Sequence, residues 1–162
     1  MANLFDIASN PQLLVDAWER LSRLPFGDRV FSRLVGMAAP YTGTVRGRFL
    51  EVRPGYARAQ LRDRRRVRNH LRSVHAVALM NLGEMTTGLA MMSQVPAGGR
   101  GIVTGLAMEY RKKSRGTITC ESQAPALPGP GRHDLEVEGI LRDESGDTVA
   151  IARATWRLDV PG

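Results

Sequence analysis

A single carboxylate interrupts a mostly apolar stretch of the sequence, RNHLRSVHAVALMNLGEMTTGLAMM, which spans residues 68–92. This acid is Glu84, and Asn81, Thr87 and Gly88 lie three or four positions from it. Residues at these spacings share one face of an α-helix, so they form the only polar stripe of an otherwise apolar helix. Glu84 therefore either marks a solvated edge of this helix or takes part in chemistry.

The start of the same predicted helix offers a second group that can take part in a reaction. Ser73 is a candidate N-cap, which places Val74, His75 and Ala76 in the first helical turn. The free N–H groups of a first turn point out of the helix, and the helix dipole adds partial positive charge there. Such an end suits a carbonyl oxygen that becomes negative during a reaction.

The periodicity of apolar residues predicts the elements that position these groups. A helix is expected over residues 10–24, with Asn10 as its N-cap and Pro11 in its first turn, and a short second helix over 28–37. A hairpin of strands at 42–52 and 56–61 precedes the long helix. Four further strands are expected after it, at residues 101–112, 117–124, 134–142 and 148–158.

These elements predict an α+β class. A long helix that is apolar on almost every side is most simply buried by wrapping a curved antiparallel sheet around it. With 162 residues and no long linker, the chain is expected to form one domain over residues 1–162, with an N-terminal helical extension over about residues 1–38.

Composition excludes several classes of protein. The only cysteine, Cys120, excludes an intrachain disulfide and a cysteine-rich zinc site, and His70 and His133 lack partners at metal-ligand spacing, so no metal site is expected. No apolar run approaches the roughly 20 residues that cross a membrane. The N-terminus, MANLFDIASNPQ, lacks the basic start and apolar stretch of a secretory signal, so a cytoplasmic location is expected.

The net charge of +7 comes from two clusters of basic residues. Ten of the 23 Lys and Arg residues lie in them, and the rest of the chain is slightly acidic. The clusters consist of Arg62, Arg64, Arg65, Arg66, Arg68 and Arg72, and of Arg111, Lys112, Lys113 and Arg115. A surplus of basic residues makes nucleic acid a candidate partner.

The segment around Glu84 resembles the active-site stretch of hotdog-fold thioesterases of the phenylacetyl-CoA type. In that family an Asn precedes a His-Gly-Gly turn that opens the central helix, and an Asp or Glu follows nine residues after the His. Here Asn69 precedes His75 by six residues, and Glu84 follows His75 by nine. The predicted order of elements is also that of the hotdog fold. The family's two glycines are Ala76 and Val77 here, and their side chains narrow the approach of a ligand to the backbone.

The resemblance implies an acyl-CoA thioesterase without metal or separate cofactor, in which coenzyme A is part of the substrate. Glu84 would be the general base that activates water, or the nucleophile that attacks the thioester carbonyl. Backbone N–H groups of His75 and Ala76 would polarise that carbonyl, and Asn69 would hold the substrate or the attacking water. The resemblance further implies a homodimer, alone or within a tetramer, with the active site between subunits and the hydroxyl of Thr104 contributed by the partner.

The phosphates of coenzyme A would give the basic clusters a role, because arginine binds phosphate through a planar, bidentate fork. The candidates for this contact are Arg65, Arg66, Arg68, Lys112, Lys113 and Arg115. Met80, Met85, Met91 and Met92 of the long helix, together with Met108, would form an adaptable wall for the acyl group.

Two other functions remain open. The loss of both family glycines is compatible with a protein that binds acyl-CoA without hydrolysing it. The arginines are also compatible with nucleic-acid binding, although no Phe, Tyr or Trp occurs between Tyr56 and Tyr110 to stack on bases. The sequence therefore favours the thioesterase over the nucleic-acid-binding protein.

Overall fold

The computed structural model describes residues 11–162, which form four α-helices and six β-strands. The expected N-cap Asn10 and the first ten residues of the N-terminal extension lie outside this range. The helices are α1 (Pro11–Leu21), α2 (Gly27–Ala38), α3 (Pro40–Val45) and α4 (Ala76–Met92). The strands are β1 (Arg48–Arg53), β2 (Tyr56–Arg62), β3 (Arg100–Tyr110), β4 (Thr117–Gln123), β5 (Gly131–Arg142) and β6 (Thr148–Val160).

The six strands form one antiparallel sheet in the order β1-β2-β4-β5-β6-β3, and α4 contacts every one of them. Alternation along β2 places Ala57, Ala59 and Leu61 on the buried face, all without exposed surface, as the sequence predicts. Leu82 of α4 is also fully buried. A long helix clasped by an antiparallel sheet is the hotdog fold, which confirms the predicted α+β architecture. Within residues 11–162 no helix is both long and apolar enough to cross a membrane.

The N-terminal helices add a layer beside β1. Their contact with the sheet runs through three aromatic rings, Trp18 of α1, Phe31 of α2 and Phe49 of β1. Successive ring centroids are 5.1 and 5.7 Å apart, in edge-to-face arrangements that aromatic pairs prefer. This layer lies over the part of α4 that follows Glu84, and it therefore shapes the space around that carboxylate.

The prediction of a strand from residue 42 is wrong, because residues 40–45 form the short helix α3. Pro40 lies in its first turn, where a missing N–H costs nothing. Gly43 then packs directly on Gly36 of α2: a Cβ on Gly43 would lie 2.4 Å from the Gly36 carbonyl oxygen. This helix-to-helix contact outweighs the strand-like alternation of the segment, and β1 begins only at Arg48.

The predicted N-cap of the long helix is also wrong. The cap is His75, whose Nδ1 accepts a hydrogen bond from the Val77 N–H at 3.1 Å, so the first turn begins at Ala76. Ser73 is buried, and its hydroxyl bonds to the Asn69 side chain instead. Tertiary contacts hold the chain extended up to His75, since the Val74 N–H donates to the carbonyl of Ser114.

Candidate active site

Glu84 opens onto a cavity of about 420 Å³ between α4, the N-terminal helices and the strands β3 and β6. The described lining is mainly apolar and consists of Leu14, Val35, Ala39, Thr42, Phe49, Met85, Gly88, Leu89, Met92, Arg100, Gly101 and Trp156. Of the five methionines that the sequence suggested for an acyl wall, Met85 and Met92 lie in this lining, whereas Met80, Met91 and Met108 do not. A volume of this size suits a small apolar group.

The carboxylate of Glu84 has no hydrogen-bond or ion-pair partner within residues 11–162. The Glu84 backbone carbonyl, by contrast, accepts a hydrogen bond from the Thr87 hydroxyl at 3.0 Å. Burial disfavours the charged form and raises the pKa of the Glu84 carboxyl above its ordinary value. An acid of this kind is a better general base near neutral pH than a fully solvated one.

Close packing of α4 against β6 forms the wall of the cavity next to Glu84. A Cβ on Gly88 would lie 2.8 Å from Cζ2 of Trp156, so only glycine lets the indole approach the helix this closely. The Trp156 Nε1–H and the Asn81 Oδ1 are buried without a hydrogen-bond partner among the described residues. Asn81 was predicted to lie on the polar stripe, but Trp156 was not identified from the sequence, because its indole reaches the site from a strand more than 60 residues away in the chain.

The first turn of α4 leaves two N–H groups, those of Ala76 and Ala78, without an acceptor within residues 11–162, and Ala78 is buried. The N–H of His75 donates to the carbonyl of Val67 at 2.7 Å, so it is not available to polarise a substrate carbonyl, and the expectation from the sequence is wrong for this residue. The N–H of Val77 is used by the cap. The N–H of Ala76 has no acceptor within residues 11–162, and Ala76 itself is exposed.

Asn69 shapes the loop that leads to this helix start. Its Oδ1 accepts hydrogen bonds from the N–H groups of Leu71 and Ser73, at 2.9 and 3.2 Å, and from the Ser73 hydroxyl at 3.2 Å. The oxygen of this side chain is therefore engaged in the loop, and the amide nitrogen is the end that remains for a ligand.

Thr104 lies on an exposed part of β3, the edge strand of the sheet. The register between β3 and β6 shifts between Val103 and Gly105, so Thr104 occupies a β-bulge. Its hydroxyl donates to the carbonyl of Thr155 at 3.2 Å. Bulges are common at sheet edges, and at this one Thr104 remains exposed.

The six basic residues that the sequence suggested as phosphate contacts do not form one site in the structure. Arg68 pairs with Asp63 at 2.6 Å, and Lys112 pairs with Asp143 and Asp147 at 2.8 and 2.5 Å. Arg65, Lys113 and Arg115 are exposed on the surface. Of the six, Arg66 lines a large pocket beside the Glu84 cavity.

That pocket has a volume of about 1090 Å³ and adjoins the Glu84 cavity. Seven arginines line it: Arg29, Arg33, Arg46, Arg48, Arg62, Arg64 and Arg66. The first four were not identified as site residues from the sequence. The spacing of four between Arg29 and Arg33 is a helical signal that would have placed both on one face of α2.

Solved structures with the same fold include several thioesterases. A crystal structure from structural genomics is 28% identical, covering 90% of this chain and 97% of that one with a TM-score of 0.77. A probable thioesterase from Pseudomonas aeruginosa is 23% identical, with coverages of 84% and 96% and a TM-score of 0.72. A variant of the phenylacetic acid degradation protein PaaI from Thermus thermophilus is 18% identical, with coverages of 73% and 97% and a TM-score of 0.63.

These likenesses confirm the resemblance to hotdog-fold thioesterases at the level of the fold. No curated protein shows significant similarity to this sequence. A family model does match, and it extends from the start of α2 to near the end of β6. Through that match over residues 27–158, the chain belongs to the family described as Domain of unknown function (DUF4442).

Proposed function

We propose that the protein hydrolyses an acyl-CoA thioester to a carboxylic acid and free coenzyme A. The observation that carries the proposal is the half-buried, unpaired Glu84 carboxylate on the central hotdog helix, next to an apolar cavity. The names of structural relatives support the same reaction class, since several are called thioesterases. A lone carboxylate is costly to bury without a partner, so its position calls for a chemical role.

The reaction uses Glu84 in one of two ways. As general base, it takes a proton from water, the hydroxide attacks the thioester carbon, and the proton then passes to the departing thiolate. As nucleophile, it forms an anhydride with the acyl group and releases the thiolate, and water then hydrolyses the anhydride. In both cases the carbonyl oxygen gains negative charge, and a backbone N–H at a helix start stabilises it.

The Ala76 N–H is the donor that we assign to this oxygen. Ala76 and Glu84 are eight residues apart, which corresponds to about 12 Å along the helix axis. One carbonyl group with its hydrogen bond covers only part of that separation. The proposal therefore pairs Glu84 of one subunit with the helix start of a second copy of the chain. Asn69, through its amide nitrogen, and Thr104 would complete the site at this interface.

A homodimer formed through β3 supplies that arrangement. β3 is an edge strand with one side unpaired, and it exposes Ile102, Leu106 and Tyr110 by 64, 43 and 49%. Val77 of the α4 first turn is exposed by 52%. Long apolar edge strands are surfaces that proteins cover by pairing with another chain.

Charged residues on this edge are expected to convert the dimer to a monomer. In the Ile102→Asp/Leu106→Asp variant, light scattering should report half the wild-type mass, and thiol release should fall at least about tenfold because the helix start of the second copy is lost. Val30→Asp is the matched control, since Val30 is a 47% exposed apolar residue on α2. A wild-type protein that is monomeric and fully active would overturn the two-subunit site.

The pH dependence of thiol release tests the role of the carboxylate. The reaction needs deprotonated Glu84, and burial raises the pKa of this group above the ordinary 4.5. We expect kcat/KM to rise with pH through an inflection that lies above 4.5 and then to level. The measurement is the initial rate between about pH 4 and 8 at constant ionic strength. A rate independent of pH over this range would contradict an essential carboxylate.

A protein that binds acyl-CoA without turnover is the second candidate. The observation that favours it is the replacement of the two family glycines by Ala76 and Val77, since both side chains lie at the exposed helix start. Binding of an acyl-CoA with no thiol release would identify this function.

A further inference from the structure

The arginine pocket beside the Glu84 cavity concentrates positive charge in a concave space. It lies between α2, α3, β1, β2 and the loop that precedes α4. Of the described residues that line it, seven are arginines and none is an acid. Ser32, Thr42, Thr44 and Gln60 add polar side chains to the same wall. The described lining therefore provides many donors for an anion and contains no carboxylate of its own.

Most of this charge is not neutralised by the protein. Arg48 forms an ion pair with Asp28. Arg29 lies over the ring of Phe26, with its guanidinium carbon 5.1 Å from the centroid. Within residues 11–162 no ion pair is formed by Arg33, Arg46, Arg62 or Arg66. The pocket thus holds several cations that repel one another.

Arg64 shows the effect of this crowding. Its Nη2 donates to the carbonyl of Val45, but its Nε is buried without an acceptor among the described residues. Burial, and then the nearby charges of Arg46 and Arg66, lower the pKa of the Arg64 guanidinium from its ordinary value. A bound anion would relieve the repulsion and supply the missing acceptor.

The pocket adjoins the space beside the carboxylate, because Val35, Thr42 and Met85 line both. An elongated molecule that crosses this shared wall would place its anionic end among the arginines and its apolar end beside Glu84. The volume of about 1090 Å³ is that of a site for a sizeable small molecule rather than for a single phosphate ion. Arginine forks match phosphate oxygens, which makes a nucleoside polyphosphate the chemical class that fits best.

We propose that this pocket binds the phosphate-bearing nucleotide end of the thioester substrate. The proposal rests on the function proposed above, and it moves the phosphate contact from the two sequence clusters to residues that α2, α3 and β2 bring together. The pantetheine arm then runs past Met85 to place the thioester beside Glu84. The N-terminal helical layer thereby contributes to both ends of the substrate site.

Direct binding of free coenzyme A tests the pocket without any need for turnover. In calorimetric titrations, the Arg33→Gln/Arg66→Gln variant is expected to bind coenzyme A at least about tenfold more weakly than wild type. Both side chains are exposed, so the fold should tolerate the change, and circular dichroism checks this. The matched control is Arg20→Gln/Arg23→Gln, which removes the same charge from exposed residues outside the pocket and should leave the affinity unchanged.

Two further arms make the result decisive. Pantetheine, which lacks phosphate, should bind the wild type and the pocket variant equally. Lys113→Gln/Arg115→Gln tests the cluster that the sequence suggested, and a larger loss in this variant than in the pocket variant would overturn the proposal. Equal affinity of the wild type and the pocket variant for coenzyme A would do the same.

The outcome also separates the pocket from the catalytic proposal. Weaker coenzyme A binding by the pocket variant, in a protein that shows no thiol release, would support the pocket and reject the hydrolase. Binding of a single-stranded oligonucleotide with steep salt dependence, lost in the pocket variant while coenzyme A does not bind, would overturn the proposal in favour of a nucleic-acid partner.

Discussion

A Gly83→Val variant is expected to lose about 3 kcal/mol of its free energy of unfolding, one of the largest effects that a single change in α4 can have. A Cβ on Gly83 would lie 2.5 Å from the Cβ of Ala152 on β6, which is closer than two carbon atoms pack. The valine methyl groups would also meet Met108 and Leu141. Helix propensity favours alanine over glycine by about 1 kcal/mol and favours the β-branched valine by less, so the overpacking decides the sign.

Urea unfolding of both proteins measures this difference from the midpoint and slope. Ala152→Gly supplies the matched rescue, because it removes the methyl group that the new side chain meets. Gly83→Ala adds only the Cβ that meets Ala152. The double variant Gly83→Ala/Ala152→Gly should therefore recover much of the stability that Gly83→Ala alone loses. An unchanged midpoint for Gly83→Val would show that α4 does not pack against β6 at this distance.

The elements that could be predicted from the sequence are those in which the pattern of apolar residues shows which faces are buried. Ala57, Ala59 and Leu61 alternate along β2, and α4 is apolar on nearly all sides, so periodicity alone identified a helix enclosed by strands. Residues 42–45 also alternate, yet they form α3. The contact that decides this is the approach of Gly43 to Gly36. That contact depends on how two helices pack, and the local pattern of apolar residues carries no information about it.

The start of α4 shows a similar limit. Ser73 and His75 both carry side chains able to accept a bond from a helix N–H, and local propensity favours the serine. The hydrogen bond from the Val74 N–H to Ser114, 40 residues later in the chain, keeps Val74 out of the helix and leaves the cap to His75. The motif spacing from Asn69 to Glu84 was visible in the sequence, but which N–H groups remain free was not.

The phosphate assignments failed to anticipate long-range ion pairs. Lys112 belongs to a run of basic residues, yet Asp143 and Asp147 from the β5–β6 turn bind its ammonium group. Conversely, Arg29, Arg33 and Arg46 are dispersed in the sequence and come together only when α2 and α3 pack beside β2. A cluster along the chain is therefore a weaker guide to a binding site than a cluster in space.

Glu84→Gln is expected to lower kcat/KM for thioester hydrolysis by at least about 100-fold, because an amide can neither accept the proton of water nor attack the carbonyl. The fold should be unaffected. The raised pKa of Glu84 means that the folded state favours the protonated form, so its contribution to stability is present below the ordinary pKa and is lost as the pH rises through the folded pKa. A neutral glutamine removes that loss, so the variant should be at least as stable as wild type at neutral pH.

The most direct measurement is thiol release from a panel of short, long and aromatic acyl-CoAs by the wild type and Glu84→Gln side by side. Glu138→Gln is the matched control, since Glu138 is an exposed acid on β5 paired with Arg153. We expect turnover of at least one panel member by the wild type and the control, and a loss of at least about 100-fold in Glu84→Gln. Turnover of no member by a folded wild-type protein, or equal rates for the wild type and Glu84→Gln, would contradict the assignment of Glu84 as the catalytic carboxylate of a thioesterase.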